Sequence, residues 1–82
     1  MRVETFSRSP KGLAEVGETL YGPRWQSALA RDLGVSIRTV QFWAAGERRI
    51  PDAQWAAMVD LLDARADQCQ AIARAVLLST PR

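Results

Sequence analysis

Arg38 and Gln41 are the side chains of this sequence best suited to selective polar recognition. They stand three apart within Leu29 to Pro51, LARDLGVSIRTVQFWAAGERRIP. An arginine fork can donate two hydrogen bonds to the paired acceptors of guanine, and a glutamine amide can pair in the same two-point way with adenine. Ile37 and Phe42 flank them and offer apolar contact of the kind a thymine methyl group accepts. Arg48 and Arg49 follow, two cations suited to phosphate. Ser36 and Gln26 fall where helices begin, and there the first backbone N–H groups and the helix dipole favour an anion. Thr39 lies at the edge of the same side. Each has a plainer reading. Arg38 can pair on the surface with Asp32 or Glu47, which would contribute little. Gln41 can be merely solvated, Phe42 can belong to the core, and Arg48 and Arg49 can be a solvated loop.

Positioning these groups requires a short helix with one side anchored. Val40 and Trp43, three apart, supply the inward side, which leaves Ile37, Arg38, Gln41 and Phe42 on the other. This helix reads as Ile37 to Ala45, with Ser36 as its N-cap and Gly46 at its end. Before it, Trp25, Leu29 and Leu33 repeat every four residues and predict a helix over Pro23 to Leu33. Gly34 stands where a helix C-terminus calls for a left-handed residue. Val35 plugs the joint, and Ala30 is small enough for close approach. Two short helices meeting through three residues form a helix-turn-helix, here over residues 23–45. Upstream, Ser9-Pro10 opens a helix from Pro10 to Tyr21 with Leu13, Val16 and Leu20 on one face. Gly12 and Gly17 each weaken it by up to about 1 kcal/mol relative to alanine, unless Gly17 serves a close helix crossing. Residues 1–8 have no clear period and read as a flexible arm.

Downstream, Ile50-Pro51-Asp52 reads as a connector ending in an N-cap. No glycine or proline follows until after Leu78. Trp55, Val59, Leu62, Ala66, Cys69, Ala73 and Val76 are spaced four and three in alternation, a heptad-like seam. Residues 52–78 therefore form one long helix, or two with a break near Ala64–Asp67. Leu62, Ala66, Cys69, Ala73 and Val76 are the candidate dimer interface, because so long a helix exceeds what a core of this size can cover. The alternative is a seam folded back on the first helix. Cys69 reads as a small buried residue, with a disulfide across a dimer axis as the rarer reading. Asp60, Asp63 and Asp67 form a solvated acidic stripe: residues 60 and 67 are nearly two turns apart, too far to converge on one cation.

The 82-residue chain is one domain, 1–82, all-α, with four to five helices and no alternating β-branched run that would predict a strand. Its net charge of +2 is unevenly placed. Arg24, Arg31, Arg38, Arg48 and Arg49 face only Asp32 and Glu47 in the middle, whereas Asp52, Asp60, Asp63 and Asp67 face Arg65 alone. A basic middle of this kind suits a polyanion, against the plain alternative of scattered surface charge. One cysteine excludes an internal disulfide framework, and no apolar run reaches the ~18 residues a membrane helix needs. With no signal-like block at the N-terminus, a soluble cytoplasmic protein is expected. There is no histidine, no cysteine pair and no glycine-rich phosphate loop, so neither an enzyme nor a bound metal, cofactor or small-molecule effector is expected.

Gln26, Leu29-Ala30, Leu33-Gly34-Val35-Ser36, Thr39-Val40, Trp43, Gly46, Arg48 and Pro51 together resemble the Cro/repressor-type helix-turn-helix family, also called lambda-repressor-like or XRE. The resemblance spans about residues 10–62 and is most specific from 25 to 51. It implies a compact helical domain that binds double-stranded operator DNA as a homodimer. By that resemblance Gln26 contacts phosphate, Ile37, Arg38 and Phe42 occupy base-facing positions, and Arg48 is near a backbone-contacting loop. The chain departs from the family at Trp25, which replaces a small polar cap, and at Ala44 and Ala45, where polar or basic residues are usual. The expected function is a sequence-specific transcriptional regulator, a repressor. The alternative is a protein-interaction module, antitoxin-like or an assembly subunit, built on the same fold.

Overall fold

A computed structural model describes residues 6–79. Within them the chain forms four helices and no strand: α1 (Pro10–Tyr21), α2 (Trp25–Leu33), α3 (Ile37–Ala44) and α4 (Asp52–Leu78). The all-α expectation holds, with four helices among the described residues and a single uninterrupted C-terminal helix. No helix among them is long and apolar enough to cross a membrane.

Local chemistry sets most of the boundaries. The Ser9 side chain accepts a hydrogen bond from the Gly12 N–H, and Pro10 fills the first turn of α1. Gly34 ends α2 at φ 74°, ψ 28°, a left-handed conformation that glycine adopts without the Cβ penalty. Ser36 then caps α3 by accepting from the Thr39 N–H. Three boundaries differ from the sequence reading, the smallest at α3, which ends at Ala44 with Ala45 as its C-cap. α2 begins at Trp25 rather than Pro23, because Arg24 has φ −100° and ψ 56°, outside the helical region. Asp52 is the first residue of α4 rather than its cap; Pro51 holds that position and no side chain caps the helix.

The core gathers Leu13, Val16 and Leu20 of α1, Trp25, Leu29 and Ala30 of α2, Val40 and Trp43 of α3, Ile50, and Trp55 and Met58 of α4. Gly17 lets α1 and α2 cross closely. A Cβ there would lie 2.2 Å from Cε3 of the Trp25 indole, so the ring fills the space the glycine leaves. The arm also differs from expectation. Residues 1–5 lie outside the described ones, but Phe6 stands edge-on to Trp55 with ring centroids 5.9 Å apart. Arg8 donates from Nη1 to Oδ1 of Asp52 at 3.3 Å. A large apolar ring beside an indole gains more from stacking than from fraying.

α4 packs only by its first part. Trp55 and Met58 are buried, and Leu61 and Leu62 are half-buried. Val59, placed in the inward seam by sequence, is 52% exposed, whereas Met58 at 1% takes the core position. From Asp63 to Ser79 every residue is exposed, Cys69 included. The expectation of a buried Cys69 therefore fails for the single chain, because the helix runs on past its own bundle. Beyond Leu62 the seam does not pack back on α1, and only Arg65 reaches it. The molecule extends 53 Å along its long axis with a radius of gyration of 15.1 Å, against about 12 Å for a compact domain of this length.

A clasp of four side chains and one backbone carbonyl fixes the direction of α4. Arg65 donates from Nη1 to the Leu20 carbonyl at 2.6 Å, at the C-terminal end of α1. Its guanidinium lies 5.8 Å from the ring centroid of Tyr21. The Tyr21 hydroxyl donates to Oδ2 of Asp32 at 2.6 Å, and Arg31 Nε donates to Oδ1 at 3.0 Å. Burial, then the hydrogen bond to Asp32 and its negative charge, push the Tyr21 hydroxyl up to about 12. Bonds from Arg31 and Tyr21 hold the Asp32 carboxyl below the usual carboxylate range.

Candidate nucleic-acid interface

The outer side of α3 is where the sequence-derived residues meet. Val40 is fully buried and Trp43 is 4% exposed, so α3 is gripped from one side along its length. Arg38 and Gln41 are exposed on the other, and Ile37 beside them is 45% exposed. Arg38, Gln41, Phe42 and Glu47 line one open hollow of about 400 Å³. Among the described residues Arg38 makes neither an ion pair nor a hydrogen bond; Asp32, its suggested surface partner, is held by Arg31 and Tyr21 instead.

Phe42 is half-buried and carries cations on its ring. The Arg38 guanidinium carbon is 5.7 Å from the ring centroid, and that of Arg48 is 4.4 Å away. Such placements attract through the quadrupole of the ring. The backbone explains why Arg48 returns to Phe42. The Gly46 N–H bonds the Trp43 carbonyl and the Glu47 N–H bonds the Phe42 carbonyl, which turns the chain back over the end of α3. Gly46 has φ 77° at this reversal.

Ser36 and Thr39 sit together at the start of α3, with their hydroxyls 3.0 Å apart. Ser36 is already engaged as the cap, so an anion there would share or displace that bond. Gln26 is the second residue of α2 and half-buried, and no side-chain hydrogen bond caps that helix. Arg49 separates from the α3 hollow. With Arg48 it lines a second cleft of about 350 Å³, between the start of α1 and the loop before α4. Arg8 lines the same cleft, paired with Asp52 at its rim. The sequence reading missed Arg8, because only the packing of Phe6 on Trp55 brings that segment beside residues 48–52.

Together these form an exposed helix edge with a two-point donor, an amide and two apolar side chains, flanked by arginines, with Glu47 beside them. That set can donate to acceptor pairs on a base edge and neutralise nearby phosphates. Comparison with family models, with curated proteins and with solved structures returns no match for the chain.

Proposed function

We propose that the chain is a sequence-specific double-stranded DNA-binding transcriptional regulator, a repressor, which acts as a cytoplasmic homodimer and reads the major groove with α3. The observation that carries this reading is the hollow lined by Arg38, Gln41 and Phe42 on the free side of a helix whose other side is locked by Val40 and Trp43. Arg38 is the second residue of α3, and the N-terminal residues of a recognition helix are those that reach base edges. In this reading Arg38 bonds a guanine, Gln41 bonds a second base, and Ile37 and Phe42 contact thymine methyl groups. Gln26, Ser36, Thr39, Arg48 and Arg49 hold phosphates and set the register. Two copies engage half-sites about one helical turn apart.

The test compares the native protein with Arg38→Ala and Arg48→Ala on duplexes selected from a random pool, over a range of salt. Arg38→Ala is expected to cost about 1–3 kcal/mol at the preferred site and to relax the preference at one base pair. Arg48→Ala is expected to weaken all sequences alike and to reduce the salt slope by about one. Identical curves for the three proteins overturn both role assignments.

A second reading is favoured by the exposed apolar half of α4: a protein-interaction module, antitoxin-like or an assembly subunit, with DNA binding secondary or absent. Retention on random duplex DNA that weakens steeply with salt distinguishes the first reading from this one.

A further inference from the structure

Beyond Arg65, whose guanidinium is tied to the end of α1, α4 runs on with an apolar stripe and no neighbour among the described residues. Ile72, Val76, Leu77 and Leu78 are 66%, 65%, 84% and 78% exposed. At 3.6 residues per turn, Ala66, Cys69, Ala73 and Val76 continue the face that buries Trp55 and Met58, while Asp60, Asp63, Asp67 and Arg74 lie on the far side. The overhang from Asp63 to Leu78 is about 24 Å long, and a helix of that length is marginal in water by itself. Of its exposed apolar side chains, Ile72, Val76 and Leu77 border or continue the face of Trp55 and Met58 and Leu78 lies with the charged side, which leaves a large apolar surface of the kind that marks an interaction site.

The bundle decides what can cover this face. It covers the Trp55 and Met58 side of α4 up to Leu62 and leaves Val59 half-exposed at its edge, so a helix laid along the overhang can run past Leu62 only beside Val59. A second α4 running parallel and in register would bring its own bundle to the same side at the same level. The two bundles would then compete for one space. A second α4 running antiparallel meets no such obstruction. Its end arrives at the level of Met58 and Val59, where the first copy offers a mainly apolar cleft of about 290 Å³ lined by Phe6, Val16, Trp55, Met58, Val59 and Leu62, with Arg8 beside them. Val59, half-exposed on its own bundle, then acquires a neighbour.

We propose that two copies pair through antiparallel α4 overhangs, with the two-fold axis near Asp67–Gln68, and that the end of each α4 closes the apolar cleft at the foot of the other. In the register set by knobs entering holes, Ala66 meets Cys69 of the second copy, Leu62 meets its Ala73, and Val59 meets its Val76. Small residues meet in the two central layers and Leu62 faces Ala73 in the next, which suits close approach. The pairing supplies the second copy that the DNA-binding reading calls for and rests on that reading for its purpose, but not for its geometry.

Mass and cross-linking test it on the full chain. Light scattering is expected to give twice the chain mass, and Val76→Asp to return one chain with the tryptophan fluorescence of the bundle unchanged. In a Cys69→Ser background, Val59→Cys and Val76→Cys chains are expected to form a disulfide-linked pair when mixed and none when kept apart. A native mass of one chain at every concentration overturns the pairing. So does self-cross-linking of Val76→Cys alone, which reports a parallel pair. Duplex binding is read on the same samples. A cross-linked antiparallel dimer indifferent to DNA upholds the pairing and removes the DNA-binding reading. A single chain that binds duplex does the reverse.

Discussion

Phe42 is half-buried with guanidinium groups of two arginines near its ring, at 4.4 and 5.7 Å. Each such contact contributes about 0.5–1 kcal/mol at a partly exposed site, and a guanidinium held against a ring has less freedom to lose on binding. Phe42→Leu keeps the apolar bulk and removes the quadrupole. It is expected to weaken duplex binding roughly two- to ten-fold, with Phe42→Tyr close to the native protein, both measured by fluorescence anisotropy. Equal affinities for Phe42→Leu and the native chain would mean that the ring acts by volume alone. The outward placement of Arg38 and Gln41 was legible from the sequence, because Val40 and Trp43 define the inner side of a helix too short to drift. The meeting of Phe42 with Arg48 was not. The two are six residues apart across a helix end, and spacing does not say how the chain doubles back after Gly46.

Among the elements, α1 and α2 depend on a glycine that propensity alone counts against. Replacing Gly17 by alanine would favour the isolated helix by about 1 kcal/mol. In the folded protein the new methyl would fall 2.2 Å from the Trp25 indole, and moving a packed ring in a small core costs more than that gain. Gly17→Ala is therefore expected to destabilise the domain by about 1–3 kcal/mol, read as a lower urea midpoint. A raised midpoint would show that Trp25 has room to yield. The bounds of α1, the end of α2 and the start of α3 were legible because Ser9, Gly34 and Ser36 have their chemistry in their own side chains and dihedrals. The inward face of α4 was read less well. Trp55 and Leu62 are seven apart, and either Met58 or Val59 completes a heptad between them; packing on the bundle selects Met58 where the four-three spacing placed Val59.

At the scale of the whole molecule, Tyr21, Asp32 and Arg65 tie the end of α1 to α2 and to the root of the overhang. The Tyr21 hydroxyl, pushed up to about 12, keeps its proton in the folded chain at a pH where an unfolded tyrosine, near 10, has begun to lose it. Its contribution is complete below pH ~10 and fades as the pH rises toward 12. Tyr21→Phe is expected to lose about 1 kcal/mol at neutral pH and to flatten the fall in stability between pH 10 and 12, measured by urea unfolding across that range. An unchanged alkaline slope would remove Tyr21 from the clasp. The sequence showed that α4 continues but not how far along it the other three helices reach, since packing and not their own end signals sets that level. The length of α4 thus reaches beyond architecture. With the pairing proposed above, two chains must collide before either tail is sheltered, and the assembled form grows as the square of the free chain. A scarce protein would be largely single, with a fraying tail, and a modest rise in its abundance would carry it across a threshold: one unbroken helix would let the molecule take a census of itself.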